Sequence, residues 1–252
     1  MAPRKGLSVV MVTRALAPSL EAAEALIGAG RVLVNGACAM SGAHQVANRD
    51  SILITDRDRF VSRGGQKLQA AIDHFGIDFA GKYVLDAGSS TGGFTDCALQ
   101  AGAAHVTALD VGRSLLHERI AGDRRVLVVD EFNVRKLADR NANPAIRDLY
   151  DIVVADLSFI SLIAVADALC SRVAVGGVLV LLVKPQFEAE KTEVDKGAGV
   201  ITDPIVHQRT CDKVTVAYQA RGCELLGVMP SPIRGASGNT EFLLYLRRGA
   251  SS

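Results

Sequence analysis

The sequence predicts an α/β protein: a mostly parallel seven-stranded sheet covered by helices on both faces, preceded by a small α+β unit. Two observations carry the large unit. From Lys82 onward, Val-rich runs of strand length alternate with Ala-rich stretches of helix length. The chain is 49% apolar yet has no Trp and only 5% aromatics, so its core must be built from Ala, Val, Leu and Ile. A third observation sets the first sixty or so residues apart: there a helix signal is followed by a hairpin rather than by another strand–helix alternation.

In that first unit Ser19 is an N-cap candidate for a helix through Glu21 to Ile27, and Gly28 and Gly30 end it. Arg31 to Asn35 reads as a strand, Asn35-Gly36 as its hairpin turn, and Ser51 to Thr55 as another strand. The charged run Asp56 to Arg59 marks a boundary. The organisation is therefore residues 1–58 as a small domain, 59–66 as a linker and 67–252 as the large domain.

In the large domain strands are expected at Tyr83–Asp86, His105–Asp110, Val126–Val129, Ile152–Asp156, Val178–Val183, Glu224–Met229 and Phe242–Leu246. The longest helices are expected over Ile163–Val173 and Pro204–Gln219. Polar, glycine-bearing Lys191–Gly199 reads as a mobile loop.

Net charge is +1, which argues against a strongly basic nucleic-acid binder, although residues 1–49 carry five Lys or Arg against two Glu. The five cysteines are widely spaced with no Cys-x-x-Cys, so neither a disulfide framework nor a zinc site is expected; no metal is assigned, and a reducing cytoplasm fits. No apolar run is long enough for a membrane span.

The strongest chemical signal is LDAGSSTGGF, Leu85 to Phe94, directly after the first strand of the large domain and opening a helix. A glycine loop at a strand's carboxyl end can hold a nucleotide-like ligand. The spacing is neither Gly-x-Gly-x-x-Gly nor a Walker loop. Asp86 would oppose a pyrophosphate but suits the amino group of a methionine moiety. Asp110 ends the second strand, where an acid can accept hydrogen bonds from both ribose hydroxyls. Asn133 follows the third and could contact adenine. The expected ligand-binding set is thus Asp86, Gly88, Ser89, Ser90, Thr91, Gly92, Gly93, Phe94, Asp110, Asn133 and Asp156.

Asp156 ends the fourth strand in ADLSFISL, and Lys184 ends the fifth in LVKPQFE. Lys67 lies in SRGGQKL before the first strand, and Glu241 opens the last after SGNT. Two lysines and two acids at one crevice must be mutually paired if buried. Such a set suits transfer to a weakly acidic hydroxyl: a partly desolvated amine beside a second cation can act as a base, and the carboxylates orient the amines. Lys184 is the expected base or hydroxyl orienter, with Asp156 as its partner.

These motifs resemble the TlyA (hemolysin A) family, whose catalytic domain is similar to FtsJ-type ribose methyltransferases; SRGGQKL, LDAGSSTGGF, ADLSFISL, LVKPQFE and SGNTEF match in order. The resemblance implies a Rossmann-like methyltransferase domain. It implies a catalytic tetrad Lys67–Asp156–Lys184–Glu241, S-adenosylmethionine held by residues 88–94 and Asp110, and cytidine ribose 2′-oxygens of ribosomal RNA as acceptors. LIGAGRVLVNG, Leu26 to Gly36, resembles the RNA-binding domain of ribosomal protein S four. That domain usually carries Arg-Leu-Asp where this chain has Gly6-Leu7-Ser8, and Ser-Arg where it has Ser19-Leu20. The expected partner is ribosomal RNA or a ribosomal subunit; a small-molecule hydroxyl is the alternative acceptor. A membrane-lytic role would need an apolar span or a strongly basic amphipathic helix, and neither is visible.

Overall fold

The computed structural model describes residues 4–55 and 59–250. Positions 56–58 of the charged run Asp56 to Arg59 lie outside the described residues.

The small unit contains β1 (Lys5–Gly6), α1 (Leu7–Thr13), α2 (Leu20–Gly28), β2 (Val32–Val34), β3 (Ala37–Cys38), β4 (Gln45–Val46) and β5 (Ile52–Ile54). Ser19 caps α2 by accepting from Ala22 N at 3.2 Å. Asn35 and Gly36 both take positive φ, 52° and 86°, as a tight hairpin turn demands, and place Val34 opposite Ala37. Leu7, Met11, Ala23, Ile27 and Val32 form the core of this unit. Arg14 donates to the carbonyls of Asn48 and Asp50, and Arg31 to that of Thr55, so two of its five basic side chains fasten its own backbone.

The large unit follows as α3 (Gly64–Phe75), β6 (Tyr83–Ala87), α4 (Gly93–Gln100), β7 (His105–Leu109), α5 (Glu118–Ala121), β8 (Val126–Val129), β9 (Tyr150–Ala155), α6 (Ala166–Cys170), β10 (Val173–Val183), α7 (Pro185–Glu188), α8 (Lys191–Lys196), α9 (Pro204–Gln219), β11 (Cys223–Pro230) and β12 (Phe242–Arg248). Its seven strands run in the order β11-β12-β10-β9-β6-β7-β8. All neighbouring pairs are parallel except those of β12, which is antiparallel to both β10 and β11. Alternate residues enter opposite cores: Leu85, Val153, Leu179 and Leu181 face α6 and α9, whereas Val84, Val154, Val180 and Leu182 face α3 and α4. From β6 the chain builds outward to β7 and β8, then returns to the other side of β6 as β9. The carboxyl ends of β6 and β9 therefore flank a topological switch point, where open α/β sheets bind ligands.

Three expectations need correction. The helix expected over Ile163–Val173 is a 3₁₀ turn at Ile163–Val165 followed by α6, and Val173 already pairs with Tyr150 as the start of β10. Buried Arg172 breaks the helix by giving its guanidinium to the carbonyls of Leu137 and Asp139. The loop expected over Lys191–Gly199 contains α8, opened by a capping box between Glu190 and Glu193. The stretch expected as a linker, residues 59–66, packs onto the large unit: Phe60 is buried with Leu68 and Phe94, Val61 N donates to Asp96, and α3 begins at Gly64.

Candidate active site

The loop after β6 is shaped by contacts within the protein. Gly88 has φ 84°, and a Cβ there would lie 2.8 Å from the carbonyl oxygen of Asp156. A Cβ on Gly93 would lie 2.3 Å from Ser62 Oγ and 3.0 Å from Gly64 Cα, so this glycine lets the amino ends of α3 and α4 meet. Gly92, with φ 93°, has Leu116 and Ile120 packed where its side chain would be.

Asp110 anchors this loop from the end of β7. Its two carboxylate oxygens accept from Ser90 N at 2.9 Å and from Gly112 N at 2.8 Å. Each oxygen keeps a second lone-pair site. Asn133 accepts from Arg135 N through its side-chain oxygen and lines the same recess as Asp110, together with Leu115, Phe132 and Val134. This recess is about 340 Å³ and mostly apolar, with Ser90, Asp110, Asn133, Asp156 and Ser158 as its polar lining.

Asp86 lies beneath the loop, fully buried. Its Oδ2 accepts from Thr95 Oγ1 at 2.6 Å, whereas its Oδ1 has no partner among the described residues. Burial pushes the carboxyl pKa up to about 7, and the nearby Asp156 and Asp110 charges add to the rise against the Thr95 hydrogen bond.

Next to the recess, and sharing Gly88, Ser90, Asp156, Ser158 and Phe159 with it, is a larger cavity of about 580 Å³. Lys67, Asp156, Lys184 and Glu241 all line it. Lys67 Nζ is 2.5 Å from Glu241 Oε2, and Lys184 Nζ is 2.6 Å from Asp156 Oδ1. Four separate elements supply these groups: α3, the turn before β12, and the carboxyl ends of β9 and β10. Gly235 gives Glu241 room, since a Cβ there would lie 2.5 Å from its Oε1.

Several residues of this cavity escaped the reading of the sequence. Lys184 Nζ also donates to Ser158 Oγ at 2.8 Å. Phe159 holds φ 63°, is 92% exposed, and its ring lies 5.3 Å from that of Phe187. Arg63 and Arg234 line the cavity as well. Ser158, Phe159 and Phe187 sit inside the ADLSFISL and LVKPQFE motifs, so proximity to Asp156 and Lys184 was the available signal.

The family model for FtsJ-like methyltransferases matches residues 60–248. The chain belongs to the FtsJ-like methyltransferase family, in its TlyA branch. Among its relatives is the 16S/23S rRNA (cytidine-2′-O)-methyltransferase TlyA of Mycobacterium tuberculosis, 43% identical over 98% of this chain and 91% of the relative. A solved hemolysin structure from Streptococcus thermophilus, 32% identical, superposes with a TM-score of 0.72 and covers 100% of this chain and 90% of that one. An S-adenosylmethionine-dependent methyltransferase from Listeria monocytogenes, 15% identical, shares the fold at a TM-score of 0.54 over 75% of this chain and all of that one. This FtsJ-like protein is thus an enzyme of methyl transfer, built on the Rossmann-like sheet that its sequence pattern predicts. Among the described residues no group of His, Cys, Asp and Glu is arranged to hold a metal ion, and no helix is long and apolar enough to cross a membrane.

Proposed function

We propose that the protein methylates a ribose 2′-hydroxyl of cytidine in ribosomal RNA, with S-adenosylmethionine as donor. The observation that carries the reading is two ion pairs in one cavity beside the glycine loop, Lys67–Glu241 buried and Lys184–Asp156 partly buried.

The residues present fit the donor. The apolar recess suits adenine, with Asn133 at its edge; the free lone pairs of Asp110 suit the ribose hydroxyls. Asp86 lines neither cavity; its orphaned Oδ1, beneath the loop, favours positive charge in a ligand that residues 88–94 would hold above it. Bound there, S-adenosylmethionine supplies an electrophilic methyl group on a sulfonium centre.

The chain's own residues handle the acceptor. A ribose hydroxyl must lose its proton as its oxygen is methylated, so a group has to orient the oxygen and hold or move that proton. Lys184 Nζ, fixed by Asp156 and Ser158, is that group. Lys67, held by Glu241, flanks it in the same cavity and lends positive charge to the oxygen as negative charge develops. Phe159 and Phe187 offer a base an aromatic face at the mouth, worth about 1–3 kcal/mol for a stacked base. Residues 1–58 guide the RNA; among their described residues Arg4, Lys5 and Arg49 are the basic side chains not bound to backbone.

The test is incubation of the protein with radiolabelled donor and ribosomal subunits, and in parallel with a metabolite extract. Label in ribosomal RNA, mapped to a cytidine ribose, is the expected result. Label only in the metabolite fraction would overturn the RNA reading and leave the hydroxyl chemistry.

A further inference from the structure

Asp156 and Lys184 stand on different loops, one following β9 and one following β10. Glu188, the last residue of α7 and 9% exposed, bridges them. Its Oε2 accepts from Ser161 Oγ at 2.5 Å and its Oε1 from Leu162 N at 2.7 Å, both on the loop that carries Asp156, Ser158 and Phe159. Burial raises the Glu188 pKa, while these two hydrogen bonds pull it down. Cys211 and Tyr218 of α9 face it, and among the described residues no Lys, Arg or His pairs with it. A buried carboxylate without a counter-ion is costly, so its two short hydrogen bonds must hold something that matters.

What they hold is the geometry of the Lys184–Asp156 pair. The near end of the β9 loop meets the β10 loop through Lys184 and Ser158, and its middle through the Phe159 and Phe187 rings. Its far end is fastened from α7 by Glu188 and from α9 by Tyr218, whose hydroxyl donates to the carbonyl of Leu162 at 3.1 Å; of the two, only Glu188 ties it to the loop that carries Lys184. We infer that Glu188 is a positioning residue for methyl transfer, a brace that fixes Asp156 and Ser158 against Lys184 so that the lysine meets the acceptor hydroxyl in one orientation. The inference rests on the functional reading above.

The side-chain chemistry makes the brace separable from bulk. Glu188→Ala removes both bonds. Glu188→Gln keeps an oxygen for Leu162 N and places an amide donor toward Ser161 Oγ, whose hydroxyl can accept it. Ser161→Ala removes one arm, together with the bond Ser161 Oγ accepts from Ile163 N, and leaves the carboxylate with Leu162 N.

The experiment uses the full chain, saturating donor and ribosomal subunits, and reads single-turnover rates alongside donor affinity by calorimetry. Displacing a catalytic group by about 1 Å costs on the order of 100-fold, so Glu188→Ala is expected to react about 10- to 100-fold more slowly. Ser161→Ala should fall between it and wild type, Glu188→Gln should stay within about threefold of wild type, and donor affinity should not move. If Glu188→Ala fails to fold, Ser161→Ala and Glu188→Gln carry the comparison. A brace that only stabilises the fold would lower the unfolding temperature and leave the single-turnover rate of folded protein untouched. That outcome, or a Ser161→Ala rate equal to wild type, overturns the proposal. Wild-type protein that labels no ribosomal RNA overturns the reading it rests on, a failure distinct from that of the brace, which shows only in the variants' rates against a labelling wild type.

Discussion

The two arms of the crevice are built on opposite principles. In the acceptor arm the four charges of the tetrad already have their counter-charges: Lys67 with Glu241, Lys184 with Asp156. In the recess and the loop beside it, acceptors are left over: Asp86 keeps a buried oxygen with no partner, and Asp110 has lone pairs beyond its two backbone donors. Binding and chemistry therefore reside in different arms. Unfilled acceptors favour a ligand that brings donors and positive charge. A preassembled charge network needs no rearrangement when the acceptor's proton moves, which is the condition under which electrostatics lower a barrier.

The comparison can be broken from its acceptor side first. Lys184→Ala should slow single-turnover transfer about 10²–10⁴-fold, the usual worth of general acid–base assistance. Lys184→Arg should not rescue it, because arginine keeps its proton near neutral pH. A wild-type rate for the arginine variant would reduce Lys184 to a positive charge. Next in size is Glu241→Ala, which leaves the Lys67 ammonium without its carboxylate in a largely buried site. Denaturant unfolding should show a loss of about 3 kcal/mol, at the low end for breaking a buried pair because Lys67 borders the cavity. Unchanged stability would mean that the pair is solvated.

Two smaller effects sharpen the donor side. Asp110→Ala should weaken donor binding by about 1–3 kcal/mol. Asp86 gives a pH signature. Its folded pKa of about 7 lies above the ordinary aspartate value of 3.8, so between these values the folded chain binds the extra proton. Stability from this group is therefore greatest at low pH, falls as pH rises through that window, and is level above about 7. A cationic ligand favours the ionised form, so donor binding near pH 6–7 should release up to about one proton. Calorimetry in buffers of different ionisation enthalpy should detect it, and Asp86→Asn should abolish it. Binding without proton release would place the ligand's charge elsewhere.

The sheet was legible because each of its strands is a Val- or Leu-rich run whose alternate residues enter two apolar cores. Where the reading slipped, side chains from distant segments decided: Arg172 reaches the carbonyls of Leu137 and Asp139 and ends the helix before it. The capping box at α8 was readable as Glu190 and Glu193, but Glu is not one of the residues that favour the N-cap, as Ser, Thr, Asp and Asn do. In the site, strand-end position pointed to Asp110, Asp156 and Lys184 without further help. The partners Ser158 and Glu188 were not legible, because their role depends on two loops meeting that periodicity does not describe. The loop glycines were readable as necessary, yet Gly88 and Gly93 answer to Asp156 and Ser62 rather than to open space for a ligand.

The division of labour between the two arms is tested most directly by measuring donor affinity and single-turnover rate, at saturating donor, on Lys184→Ala and Asp110→Ala side by side. The account predicts a crossed result: Lys184→Ala loses rate by about 10²–10⁴ with affinity unchanged, and Asp110→Ala loses affinity with its rate at saturation within a few-fold of wild type. Loss of both quantities in both variants, or loss of affinity in Lys184→Ala alone, would contradict it.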